Sequence, residues 1–221
     1  MSSAYTESWL EDVTESGLGK LIYAGLLALL VLTPLPYGTV ETWSIALWQL
    51  SLLALVLLWG LAMLRDGALV LPRSPLVWPL LAWLVWTCVQ AATVSVEPFA
   101  TRYAALKLLA YLIFFALFAT YVDSEARRRN AVKIILVVCV FIALVGIAQN
   151  YAGAWLWQRG AFGPFVNRNH FAGFLVMGVG LAGGLLLERS AKNETLALYA
   201  AAAIVMIAGI GLSASPKQHA G

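Results

Sequence analysis

Charge is what this chain has least of. Of its 221 residues 11% are Asp, Glu, Lys or Arg and 62% are hydrophobic, where a soluble domain carries roughly 25% and 45–50%. That balance excludes a soluble globular fold and a disordered chain. With 14 Lys and Arg against 11 Asp and Glu, the net charge is only +3. No dense basic stripe exists, so nucleic acid is excluded as a partner. Cysteine and histidine are equally sparse. Cys88 and Cys139 fall at depths differing by roughly 10 Å or more at the helical rise, beyond disulfide reach. His170 and His219 stand without a paired Cys or His spacing, so no metal site is expected. The chain also lacks a Walker sequence, a dinucleotide fingerprint, Gly-x-Ser-x-Gly and His-Glu-x-x-His, and no cofactor is expected. No internal repeat is evident, which counts against an inverted-repeat transporter.

What is present is a series of long uncharged runs. They cover residues 21–40, 42–64, 74–96, 108–122, 134–158, 169–187 and 195–216. A helix needs about 20 mostly apolar residues to cross the hydrocarbon core, and six of these runs have that length as they stand. The fourth reaches it if it extends back across Tyr103 to Leu106 and Lys107 snorkels its ammonium to the interface. The expected fold is therefore all-α: a polytopic transmembrane helix bundle of seven spans, with residues 18–215 as the bundle. Residues 1–17 form a cytoplasmic or interfacial N-terminal segment and residues 216–221 an atypical tail.

Lys and Arg set the orientation. With the N-terminus cytoplasmic, inner segments hold Lys20, Arg65, Arg73, Arg127, Arg128, Arg129, Lys133, Arg189 and Lys192. Outer segments hold Arg102, Lys107, Arg159, Arg168 and Lys217. The bias places the N-terminus inside and reads Arg127 to Arg129 as topology signals. The N-terminal segment does not read as a signal peptide, because its start is acidic and its apolar run continues to Leu32 before Thr33-Pro34-Leu35-Pro36. Tyr5, Trp9 and Val13 share one helical face suited to the inner interface. Trp43, Trp155 and Trp157 fit an aromatic belt at the outer one. Gly180 and Gly184 form Gly-x-x-x-Gly, whose default reading is close helix packing.

One segment departs from hydrophobic filler, the outer stretch from Gln149 to His170. Pro164 ends whatever precedes it, and Asn167 or Asn169 can cap the next helix. The helix N-terminus so made has Arg168 and, when protonated, His170 in its first turn, beside the positive end of the dipole. Cations there are unfavourable unless an anion sits with them. Arg102 and Lys107, at the outer start of the fourth span, add two more positive groups. The set Arg102, Lys107, Asn167, Arg168, Asn169 and His170 is the candidate binding site for a lipid phosphate or diphosphate. The competing reading makes the three basic residues interfacial anchors on lipid headgroups and His170 a neutral cap.

The run Gly163-Pro164-Phe165-Val166-Asn167-Arg168-Asn169-His170-Phe171-Ala172-Gly173-Phe174-Leu175 resembles the opening of the conserved region in the O-antigen ligase and polymerase family. Gly211-Leu212-Ser213-Ala214-Ser215 is similar to that family's Leu-Ser-x-Ser stretch. The resemblance implies a metal-independent glycosyltransferase in the bacterial inner membrane, working at its periplasmic face. Such a protein takes a glycan from an undecaprenyl-diphosphate carrier and joins it to a glycan or a lipid A core acceptor. The diphosphate leaves, and outer basic residues stabilise the charge that develops. The resemblance further implies that this chain matches the N-terminal half only. The family's large periplasmic loop, which supplies catalytic Arg and His residues, is not in it, so no catalytic residue is assigned and His219 is given no role. On that expectation the chain is truncated near Ser215 and catalytically incomplete. The alternatives are a transporter or flippase subunit, or an inert remnant. A transporter calls for ionisable groups near mid-membrane, and here nearly all lie at span edges.

Overall fold

The computed structural model describes residues 14–67, 74–152, 162–188 and 193–214. Expectations for Tyr5, Trp9, Val13, Trp155, Trp157, Arg159 and the tail after Ala214 lie outside the described residues. Seven helices account for nearly all of the rest: α1 (Gly17–Leu32), α2 (Thr42–Asp66), α3 (Val77–Thr93), α4 (Pro98–Tyr121), α5 (Glu125–Ala152), α6 (Arg168–Glu188) and α7 (Asn193–Ala214). Five of them, α2 and α4 to α7, are long and apolar enough to cross a membrane. Large apolar side chains stay on the outside: Leu64 is 85% exposed, Trp78 74%, Leu198 68% and Ile204 67%. Water would not tolerate such faces, and lipid does. The chain has the features of a multi-pass membrane protein.

Each uncharged run falls on one helix, yet two runs overstate helix length. α1 has 16 residues and α3 has 17. The first run is cut at Leu32 because Pro34 and Pro36 cannot continue the hydrogen-bond ladder. The fourth goes the other way, with 24 helical residues that begin at Pro98, where proline's missing N–H costs nothing. Three helix starts carry side-chain caps. Ser16 Oγ accepts from Gly19 N at 3.1 Å, Ser124 Oγ from Arg127 N at 3.3 Å, and Asn167 Oδ1 from Asn169 N at 2.8 Å. Each satisfies a first-turn amide that the helix leaves unpaired.

The chain forms two compact units. The first comprises Met1–Leu29 and Ala46–Arg127, the second Leu30–Ile45 and Arg128–Gly221. In the first, Ile22, Leu26 and Leu29 of α1 make a buried stripe against Leu52 and Leu55 of α2 and Leu117 and Tyr121 of α4. A Cβ at Gly25 would lie 2.5 Å from Leu55, so glycine lets α1 and α2 close on each other. Arg127, only 10% exposed at its side chain, ties the chain ahead of α1 to the end of α4. Its guanidinium donates to Tyr121 O at 3.0 Å and Thr14 O at 3.1 Å, pairs with Glu15 at 2.8 Å and Asp123 at 3.6 Å, and covers the Tyr23 ring. Read from the sequence as a topology signal, it is also a packed clamp.

In the second unit, Cys139, Ile142 and Ala143 of α5, Phe171, Leu175 and Ala182 of α6 and Met206 of α7 form the core with Phe162 and Phe165. The close approach on α6 is at Gly178, where a Cβ would meet Met206 Sδ at 2.7 Å and Cys139 Sγ at 2.8 Å. Gly180 and Gly184 have nothing within 4 Å of that position. The expected packing of Gly-x-x-x-Gly is thus corrected within this chain: the buried small residues are Gly178 and Ala182, on the other face.

Contacts inside each unit join chain ends separated by an even number of helices. Glu15 meets Arg127 across α1 to α4, Arg129 pairs with Glu188 across α5 and α6, and Gly38 lies under the Phe165 ring across α2 to α5. That parity belongs to helices that alternate in direction.

Candidate functional site

The predicted site residues divide between the two units. Arg102 and Lys107 lie on α4 in the first, and Asn167, Arg168, Asn169 and His170 at the start of α6 in the second. Each group has its own geometry.

The α6 start is set by a tight turn. Phe162 N donates to Phe165 O at 2.9 Å and Phe165 N to Phe162 O at 3.3 Å. Gly163 sits at φ 61° in this turn, a left-handed conformation that glycine adopts without a Cβ penalty. Pro164 follows with its φ already fixed. The side chain of Gln149, 5% exposed, reaches in from α5 so that its Oε1 accepts from Gly163 N at 2.6 Å. Phe162 and Phe165 then stand edge-on to Phe171. Gly146 leaves room for this cluster, since a Cβ there would touch Phe171 at 2.7 Å.

On this plug the next residues turn outward. Asn167, Asn169 and His170 are exposed and Arg168 is half-buried. Asn167 is the cap, as its side-chain chemistry predicts. Its backbone carbonyl also accepts from His170 N at 3.1 Å and Phe171 N at 3.2 Å. The amides of Asn169 and His170 are therefore used within the turn, so the expected supply of unpaired amide donors is reduced. What this helix start presents is side chains, an Arg and a His carried on a rigid aromatic base.

The first unit offers a different arrangement. Arg102 is exposed and lines a cleft of about 550 Å³ between α3 and α4, whose walls include Leu84, Cys88, Ala91, Leu106 and Leu109. Small residues open the cleft, and the guanidinium is its charged group. No carboxylate pairs with Arg102 among the described residues. Lys107 turns back along its own helix. Its Nζ lies 4.6 Å from the centroid of Tyr103, one turn back toward the helix start. Helical side chains lean that way, and the ring face attracts the ammonium. Cys88 and Cys139 are free thiols, the first exposed and the second buried.

Sequence reasoning gave Gln149 no role. Its signal was available, since a lone amide side chain near the end of an apolar span must find a partner. Comparison with known proteins finds no matching family model, curated protein or solved structure.

Proposed function

We propose that this chain is a membrane protein of cell-surface polysaccharide assembly, of the O-antigen ligase and polymerase type, that holds an undecaprenyl-diphosphate-linked glycan at the periplasmic face of a bacterial inner membrane. The observation that carries this reading is Arg102. Among the described residues it is a cation without a carboxylate partner at an apolar cleft, an arrangement suited to a lipid whose phosphate meets the guanidinium while its chain lies along Leu106 and Leu109. The guanidinium fork matches phosphate oxygens two at a time. Arg168, at the start of α6 beside the exposed His170, is a cation of the other unit within the run that resembles the family.

Seven spans with a cytoplasmic N-terminus fit this reading. The parity of the internal contacts supports alternation, and the Lys and Arg bias supports the direction. In the transfer that the resemblance implies, the bond from the sugar C1 to the diphosphate oxygen breaks and one from C1 to an acceptor hydroxyl oxygen forms. The acceptor hydroxyl gives its proton to a general base. Basic residues lower the barrier by meeting charge on the departing diphosphate.

The test is binding rather than turnover. The chain, reconstituted in nanodiscs, is titrated with a radiolabelled polyprenyl diphosphate. Arg102→Ala and Arg168→Ala should each weaken binding about tenfold or more, the range of a charge-assisted hydrogen bond at ~1.5–3 kcal/mol. Binding unchanged in both variants overturns the assignment.

A further inference from the structure

The cleft at Arg102 is one of two cavities on the same seam of the first unit. The second, of about 500 Å³, opens between α2, α3 and α4. On α4 the cleft takes Arg102, Leu106 and Leu109, and the second cavity takes Ile113, Ala116 and Thr120. Successive members of this row stand alternately four and three residues apart, the spacing that keeps side chains on a single helical face. On α3 the row runs the opposite way, from Ala91, Cys88 and Leu84 into Leu81 and Val77, again in steps of three and four. Less than one turn separates the cavities on each helix. Leucines stand on both sides of that gap, Leu84 and Leu81 on α3 and Leu109 and Leu112 on α4. Past them, Val56 of α2 and the rings of Trp59 and Trp78 join the walls.

The row is longer than one leaflet is deep. From Arg102 to Ala116 it covers about 21 Å at the helical rise of ~1.5 Å per residue. A leaflet supplies half of the ~30 Å hydrocarbon core, about 15 Å. A tail that starts from a phosphate at Arg102 and keeps to the row therefore passes the midplane, where the acyl chains of its own leaflet end. A glycerolipid also forks a few bonds below its phosphate, so its second chain stays in the bilayer, whereas a polyprenyl tail is a single chain. An extended chain advances about 1.3 Å per bond, since three backbone bonds span ~3.8 Å. About 16 bonds, or four isoprene units, then reach from Arg102 to Ala116.

We propose, resting on the donor reading above, that the seam of α3 and α4 guides the tail of the polyprenyl diphosphate held at Arg102. The first two isoprene units lie in the cleft and the next two in the second cavity, with the leucines between them turned aside by a change of rotamer. Lipid tails are as apolar as leucine, so the seam gains little affinity by taking the tail out of the bilayer. What it fixes is position. A tail held at two depths along two helices sets the direction from which the diphosphate and its glycan meet Arg102, and such orientation is what a transfer reaction needs from binding remote from the reacting bond.

The test accordingly reads position. Two polyprenyl diphosphates carry a diazirine, one on the second isoprene unit and one on the fourth. The full chain in nanodiscs is photolabelled with each, and the marked residues are located by mass spectrometry. The second-unit probe should mark the cleft, at Leu84 to Ala91 or Leu106 to Leu109, and the fourth-unit probe the walls around Leu81, Ile113 and Ala116. Ala116→Trp overfills the second cavity and should cut the fourth-unit label about tenfold, the size of an overpacking penalty, while the second-unit label stays as it was. Arg102→Ala should lower both labels about tenfold. A second-unit label in the cleft without a fourth-unit label in the second cavity overturns the tail's path and leaves the donor reading standing. A fourth-unit label undiminished in a folded Ala116→Trp also overturns the path. Labels indifferent to Arg102→Ala, or absent from both cavities, overturn the path and the donor reading together. A phosphatidic acid with its diazirine at an acyl terminus brings the phosphate from a glycerolipid instead, and labelling of the second cavity as strong as the polyprenyl probe's overturns the assignment to an isoprenoid. If Ala116→Trp fails to fold, the positions marked by the two probes in the wild type still decide.

Discussion

Arg127 is the side chain whose removal should cost the first unit most. It lies at the start of α5, is 10% exposed, and makes two hydrogen bonds to backbone carbonyls, Tyr121 O at 3.0 Å and Thr14 O at 3.1 Å. A charged donor contributes about 1.5–3 kcal/mol per bond. The Glu15 pair adds little despite its 2.8 Å separation, because Glu15 is 59% exposed and solvent-facing pairs are worth about 0–1 kcal/mol. The Asp123 contact, at 3.6 Å, is a weak addition. Arg127→Met, which keeps the aliphatic stem, should therefore cost about 3 kcal/mol, the lower edge of what breaking a buried pair costs.

Two variants give this number meaning. Arg127→Lys keeps the charge but replaces a planar fork with a single centre, which cannot reach two carbonyls on different segments as the guanidinium does. It should recover less than half of the loss. Lys133→Ala removes an exposed cation from the same helix and should stay within about 0.5 kcal/mol of wild type. The assay is reversible unfolding of detergent-solubilised protein by sodium dodecyl sulfate, followed by tryptophan fluorescence. If Arg127→Met matches Lys133→Ala, or if Arg127→Lys matches wild type, the carbonyl clamp is not what holds this end together.

Three further predictions use the same assay or a local one. Gly178→Ala forces a Cβ against Met206 and Cys139 and should be at least about 1 kcal/mol less stable than Gly180→Ala, which gains helix propensity at no steric cost; equal stabilities would remove the distinction between the two faces of α6. Gly38→Ala combines a φ of 66° with a Cβ placed 2.6 Å from the Phe165 ring, so a loss of about 2 kcal/mol or more is expected, and a neutral result would contradict the packing of that turn. Asn167→Ala should speed hydrogen exchange at the Asn169 amide and cost about 1 kcal/mol, with Asn167→Asp retaining most of the cap; unchanged exchange would show that Asn169 N is held by something else.

Local chemistry in this chain was legible where partner and signal lie within a turn or two. Lys107 has Tyr103 one turn back on its own helix, a contact that spacing alone makes available. The cap at Asn167 was equally local. Gly180 and Gly184 failed as a packing signal because spacing says which residues share a face and not which face meets a neighbour; Phe171, Leu175, Gly178 and Ala182 mark the buried face of α6. Arg127 was read for its charge alone, since its partners Thr14 and Glu15 are more than a hundred residues away. Helix lengths at α1 and α3 were overestimated because an uncharged run counts proline turns along with helix. Grouping Arg102 and Lys107 with Asn167 to His170 rested on similar expected depth, and depth does not fix lateral position in a bilayer.

The cations of the chain differ in what they are paired with. Lys20, Arg127 and Arg129 are each committed to a carboxylate of the chain, Glu15 for the first two and Glu188 for the third. Lys107 is committed to a ring. Arg102 has neither kind of partner among the described residues and faces a cleft walled by alanine and leucine. A guanidinium at a membrane interface finds a counter-ion more easily on a lipid phosphate than on an acidic side chain, because the phosphate is supplied by the surrounding bilayer at no folding cost. Under the proposed function, a positive group at the edge of an apolar cleft is matched to an amphipathic anion, and any such anion with a chain long enough to enter the cleft would compete for it.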